Sequence, residues 1–241
     1  MRKLITNILK SLSLEDFVRS RFQQLRYAKR WIFRTDKRII KNYFGKNEKY
    51  KLQIGCGSNI LDGWLNSNFY PKSNKVLHVD ATKNYPFNNN SFDFVYSEHM
   101  IEHINYSQGT KMLKECFRVL KPKGTLRIVT PDLLFLLDLY KKNKTELQLA
   151  YIEDNTKRFI KDAPYIADIF VINNFFRDWD HQFIYDSETL QRLFKDVGFT
   201  NIVQCDLNES IHKDLKNLAH EDRYPSGFLK LESLIIEGTK P

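Results

Sequence analysis

Two short runs hold the residues best suited to chemistry. The first is Leu52-Gln53-Ile54-Gly55-Cys56-Gly57-Ser58-Asn59, an apolar stretch that stops at Gly-x-Gly. A strand ending this way lets the backbone approach a ligand closely, at the carboxyl edge of a sheet. The dinucleotide fingerprint needs a third glycine where Ile60 stands, and no Gly-Lys-Ser/Thr follows, so pyrophosphate and triphosphate cradles are disfavoured. Alone, Gly-x-Gly is equally a tight turn. The second run, His99-Met100-Ile101-Glu102-His103, spells H-x-x-E-H, an inverted zinc-protease motif. On a helix its two imidazoles would share one face, a geometry that permits a metal. Asp132, in Thr130-Pro131-Asp132, and His181, in Trp179-Asp180-His181-Gln182, stand further on. A lone histidine of this kind more often caps a helix or satisfies a buried contact.

These residues must be positioned by alternating strands and helices. Strands are expected at residues 51–54, 64–69, 75–79, 92–96 and 125–129, with closing strands at 199–204 and 233–237. Helical spacing runs through residues 99–120 and ends at Lys121-Pro122-Lys123-Gly124. A further helix at 187–197 has Ser187 as its N-cap and Gly198 as its C-cap. The pattern argues for an α/β fold with a doubly wound, mostly parallel sheet of seven strands. Residues 131–186 are partly helical (133–140, 146–160) and rich in aromatic side chains, too long for a simple connection, and suit a substrate wall. Residues 1–47 read as a basic helical extension. Leu4, Ile5, Ile8, Leu9 and Leu12 share one face, and Ser13 with Asp16 resembles a capping box.

The order of motifs resembles the class I S-adenosyl-L-methionine-dependent methyltransferase family. It is carried by Gly55-Cys56-Gly57-Ser58, Asp62-Gly63-Trp64-Leu65-Asn66, Val79-Asp80-Ala81-Thr82 with Tyr85-Pro86-Phe87, Ser91-Phe92-Asp93-Phe94-Val95-Tyr96-Ser97-Glu98-His99, Glu102-His103-Ile104 and Leu113 to Pro122. The likeness covers residues 50–129 and, more weakly, 181–204. The subgroup most resembled methylates sugars and surface-glycan intermediates. The resemblance implies a Rossmann-like sheet, a methyltransferase domain over 48–241 and S-adenosylmethionine as cofactor. Gly55, Cys56 and Gly57 would lie against its methionine end, whose carboxylate would meet the amides of a following helix. Asn68 takes the place of the acidic residue that accepts both ribose hydroxyls, and an amide offers only one acceptor there. Asp80 would contact the adenine amino group with Ala81 beside the ring, and Ser97 would close the floor through its backbone. His99 or His181 would be the base for a hydroxyl acceptor and Asp132 would orient it. Glu-His after the fourth strand is ordinary in this family, so no metal is expected. Lys123 stands where Lys-Pro-Gly-Gly usually has glycine, a surface turn that carries no functional meaning.

Charge is distributed unevenly. The 241 residues carry a formal net charge of +9, but residues 1–51 alone hold 15 Lys/Arg against 4 Asp/Glu, which leaves −2 on the rest. The body therefore has no electrostatic case for polyanions. The basic head suits homo-oligomer contacts, a peripheral position at the inner membrane surface, or, less well, nucleic acid. Three dispersed cysteines fit a reducing cytoplasm without disulfides. Met1-Arg2-Lys3-Leu4-Ile5 opens like a leader, but Asn7, Lys10, Ser11 and Ser13 break its apolar stretch, and no run is long enough to span a membrane. The expected activity is O-methylation of a sugar, nucleotide sugar or surface-glycan intermediate. A small aromatic or lipid-like acceptor, RNA, or a non-catalytic adaptor are the alternatives.

Overall fold

In a computed structural model, which describes Arg30 and residues 32–241, the apolar runs pair into one sheet. Its strands are β1 (Lys51–Ile54), β2 (Leu65–Asn68), β3 (Leu77–His78), β4 (Phe92–Glu98), β5 (Leu120–Pro131), β6 (Thr200–Gln204) and β7 (Ser233–Thr239). They lie in the order β3-β2-β1-β4-β5-β7-β6. The first five are parallel, and β7 enters antiparallel between β5 and β6. The order reverses between β1 and β4, where the chain leaves a crevice beyond the carboxyl ends of the strands. β4 is buried along nearly its whole length, with Phe92, Phe94, Val95 and Tyr96 as its apolar residues, as a central strand covered on both faces requires.

The helices are α1 (Thr35–Phe44), α2 (Tyr106–Val119), α3 (Leu133–Leu139), α4 (Glu146–Phe159), α5 (Asp168–Arg177), α6 (Ser187–Val197) and α7 (Phe228–Glu232). α2 buries Met112, Leu113, Cys116 and Val119, a helical-period stripe, against the main core. Helices α3, α4 and α5 close a second core of Phe135, Leu136, Leu139, Tyr151, Ile152, Val171 and Phe175, joined by Phe228 of α7. The expected insertion is thus a packed helical layer. No helix among the described residues is long and apolar enough to cross a membrane.

Several expectations shift. The helix expected at 99–120 begins only at Tyr106, where Asn105 and Gln108 form a reciprocal capping box. Before it, His99 adopts a left-handed conformation (φ 46°), followed by one 3₁₀ turn, Ile101–His103, so the H-x-x-E-H run lies on no α-helix. Between β1 and β2 there is no helix either. Gly63 takes a positive φ of 72°, and Asn66 ties the loop back on itself through Leu61 N and O, both at 2.9 Å. Residues 121–124 do not separate α2 from a later strand; they bulge out of β5, with Phe92 opposite Leu120 and Phe94 opposite Thr125. The cap of α6 is Asp186, one residue ahead of Ser187; its Oδ1 accepts from Thr189 N at 2.7 Å, while the Ser187 hydroxyl donates to Gln204 Oε1 at 2.6 Å. The Ser13–Asp16 capping box and the apolar face at residues 4–12 lie outside the described residues.

Candidate active site

Register places the cofactor-type residues along one edge. Ile54 pairs with Ser97 across β1 and β4, so Gly55 leaves the sheet beside Glu98. Gly55 and Gly57 both have positive φ, 74° and 53°. A side chain at Gly55 would collide with Met100, its Cβ falling 2.5 Å from Met100 Cγ, whereas nothing lies within 4 Å of one at Gly57. The loop is therefore tight underneath and open above. Cys56 N donates to Ser67 O at 2.8 Å, and burial pushes its thiol up to about 11, so it remains a neutral packing group.

Asn68 ends β2, and its side chain makes no hydrogen bond among the described residues. Asp80 Oδ1 accepts from Thr82 N and Oγ1 at 2.9 and 2.7 Å, an arrangement that fixes the carboxylate while leaving Oδ2 clear among the described residues. Ala81 follows, half-buried. Ser97 is buried in the ladder between Ile54 and Ile128, with its hydroxyl unbonded among the described residues. Open glycine backbone, the Asn68 amide, the clear Oδ2 of Asp80 just beyond β3 and an orphaned hydroxyl fit a nucleoside-bearing ligand. No helix follows Gly57, so the helix N-terminus expected to meet a carboxylate is not present between β1 and β2.

Beyond the ends of β4 and β5 lies a cavity of about 290 Å³. His99, Glu102, His103, His181, Arg223 and Glu232 are among its polar lining, with Phe159, Phe175 and Trp179 beside them; the rings of Phe175 and Trp179 lie 6.0 and 5.7 Å from that of His181. His99 and His181 therefore meet here. Asp132 does not line the cavity: it caps α3 through Leu134 N at 2.9 Å, and burial raises its carboxyl.

Charge in the cavity is strongly coupled. Burial opposes a charge on His99, but Glu102 at 3.3 Å and Glu232 at 3.8 Å outweigh it and raise the imidazole above its ordinary value. Burial likewise penalises the Glu102 carboxylate, yet His99 beside it holds the group below its ordinary value. Glu232, buried and hydrogen-bonded by Tyr151 Oη, is pushed up by desolvation. His181 is lowered by burial; its Nδ1 lies 2.7 Å from the Phe175 carbonyl, which fixes the tautomer with the lone pair on Nε2.

Two joints connect this cavity to the glycine loop. Met100, one residue after His99, packs beneath Gly55. Glu98 accepts from Asn59 Nδ2 at 3.2 Å and from His220 N at 3.2 Å, with Arg223 at 3.4 Å, so one buried carboxylate joins the loop to the C-terminal segment. Glu98, Tyr151, Arg223 and Glu232 were not singled out in the sequence. Glu98 sits within the expected motif, but nothing local marks Glu232, which follows a run of ordinary apolar residues.

A family described as a methyltransferase domain matches residues 65–128 of the chain. The chain is similar to the uncharacterized protein MJ0638 of Methanocaldococcus jannaschii, 31% identical over 133 residues, covering 48% of this chain and 55% of that one. It is 36% identical over 88 residues to the phosphoethanolamine N-methyltransferase of Plasmodium falciparum, covering 34% of this chain and 32% of that one. The chain thus spans about half the length of the first of these relatives and a third of the second. Among solved structures, an S-adenosylmethionine-dependent methyltransferase from Archaeoglobus fulgidus is 17% identical, with 90% of this chain and 94% of that one covered at a TM-score of 0.48.

Proposed function

We propose that the chain transfers the methyl group of S-adenosylmethionine to a hydroxyl of a small polar acceptor, a sugar, nucleotide sugar or glycan intermediate. One observation supports this above others. The polar cavity holds His99, and Met100, the residue after it, packs directly under Gly55 of the Gly55–Gly57 loop at the same sheet edge. When bound, the cofactor supplies an electrophilic methyl on a sulfonium. Gly55, Cys56 and Gly57 would seat its methionine end, Asn68 one ribose hydroxyl, Asp80 and Ala81 the adenine, and Ser97 the floor. Trp179, Phe175 and Phe159 would stack against the apolar face of a sugar ring while the carboxylates and imidazoles beside them bind its hydroxyls. The catalytic work is mainly alignment, with the acceptor's proton leaving to the His99–His181 side of the cavity.

Glu102 and Glu232 beside these aromatic rings also suit an amine acceptor, which keeps N-methylation of a phosphobase as the second reading. A labelled methyl donor offered with separate pools of nucleotide sugars, phosphobases, lipids and RNA distinguishes these. Label in the nucleotide-sugar pool is the expected outcome; label in phosphobase alone favours the second reading. Binding is tested first by calorimetry with S-adenosylhomocysteine. Asp80→Ala should weaken it at least tenfold, and no binding by the unmodified chain refutes the enzyme assignment.

A further inference from the structure

The histidines and carboxylates of the cavity do more than surround an acceptor. Glu102, His103 and His181 each offer a ligand atom, and all three atoms lie within 4.8 Å of one another. The trio differs from the pair that H-x-x-E-H suggests. His99 turns away from a shared helical face because its left-handed backbone breaks the helix, and His181, far along the chain, takes its place.

We infer that Glu102, His103 and His181 form a binding site for a divalent first-row transition-metal ion, zinc or a similar imidazole-seeking cation. The donors are held before any ion arrives. Gln182 N and Phe183 N both donate to Glu102 O, at 2.7 and 3.2 Å, so the segment bearing His181 is strapped to the turn bearing the other two. Glu102 is fully buried; Thr130 donates to its Oε2 at 3.0 Å, while Oε1 makes no hydrogen bond and has His99 Nδ1 at 3.3 Å. The Phe175 carbonyl fixes the donor nitrogen of His181, the role that outer partners play for metal-binding histidines. The rings of His103 and His181 approach edge to face, with centroids 4.9 Å apart.

Ligand atoms about 2.1 Å from a tetrahedral ion stand roughly 3.4 Å apart, so binding would draw the trio together by about 1 Å through side-chain rotation. Two imidazoles and one carboxylate leave a coordination position open towards the cavity, as in catalytic sites rather than closed structural ones. Two nitrogen donors disfavour magnesium and calcium.

The role of the ion rests on the methyltransferase reading; the site itself does not. An acceptor hydroxyl placed on the open position becomes more acidic, and its proton leaves to His99, whose Nε2 makes no hydrogen bond among the described residues. Its oxygen then forms the new C–O bond as the S–C bond breaks, and that bond's electron pair stays on sulfur, turning sulfonium into thioether. His181 would accordingly be a ligand and not the base.

Cobalt(II) is the direct probe. The full chain, purified without a histidine tag and stripped with chelator, is titrated with Co²⁺ while ligand-field absorption is followed, then back-titrated with Zn²⁺. One bound cobalt per chain, displaced by zinc, is expected, with affinity falling at least tenfold in His103→Ala and in His181→Ala. S-adenosylhomocysteine binding is measured on the same samples, and its retention shows that the variants remain folded. Cofactor binding without cobalt binding, or cobalt binding unchanged in both folded variants, overturns the metal site. Cobalt binding without cofactor binding sustains the site and removes the methyltransferase reading instead.

Discussion

Lys123 shows how a residue without apparent function acquires physical meaning. It sits in the bulge of β5 with φ 66°, a conformation that costs a side-chain-bearing residue about 1 kcal/mol relative to glycine. The bulge holds it there: Lys123 N donates to Lys240 O at 2.8 Å and Lys240 N to Gly124 O at 2.9 Å. Lys123→Gly should therefore stabilise the fold by about 0.5–1 kcal/mol, a rise in melting temperature of roughly 2–4 °C by calorimetry. The sequence comparison marked this position as a departure from a glycine, but only the dihedral says what the glycine was for. The site behaves similarly. Gly55, Gly57 and Asp80 could be placed from local motifs, because their role depends on where strands end. His181 stood out from its local sequence and does line the cavity, whereas Glu232 and Arg223 did not stand out, since they reach the cavity only through the packing of α3, α4, α5 and α7.

At the scale of elements, β5 and β7 are joined by more than their ladder. Arg127 and Glu237 are both almost fully buried and lie 2.5 Å apart, nitrogen to oxygen. Arg127 also donates to Glu209 O at 2.7 Å and Asp206 O at 3.2 Å, which pins the segment after β6 to the middle of the sheet. Removing one charge leaves the other buried and unpaired, so Arg127→Met and Glu237→Leu should each destabilise by about 3–5 kcal/mol, whereas the double variant should recover most of that loss. Urea unfolding of the four proteins measures the coupling. This pair explains a limit of reading strands from pattern. Apolar runs located the central strands, which are buried on both faces, whereas β2 (Leu-Asn-Ser-Asn) and the largely exposed β6 carry little of that signal. An arginine inside such a run reads as an exposed position unless its partner is known. Periodicity also placed α2 with a start that was too early. The spacing of residues 99–105 suits a helix, but the left-handed turn at His99 and the cap at Asn105 divide it, and neither has a periodic signature.

For the molecule as a whole, the basic head is only partly separate from the body. Arg30 is buried against Asp36 and donates to Val76 O at 2.7 Å and Ser73 O at 3.3 Å. Tyr43 donates through its hydroxyl to Lys51 O at 2.9 Å, accepts from Lys51 N at 2.7 Å, and lies in the main core. A chain beginning at Gly45 should thus lose at least about 2 kcal/mol of stability relative to one beginning at residue 29, from burial of Tyr43 and these hydrogen bonds. Thermal unfolding of the two shortened chains checks this.

The strap between Gln182, Phe183 and the Glu102 carbonyl has a consequence for how such a protein can diversify. Its bonds are drawn entirely from main-chain atoms. At this joint the attachment does not depend on which side chains stand at positions 182 and 183. Trp179 and Phe159, which do not take part in it, can be exchanged while this joint and the glycine loop stay as they are. The wall of the cavity and the glycine loop are free to evolve on separate schedules.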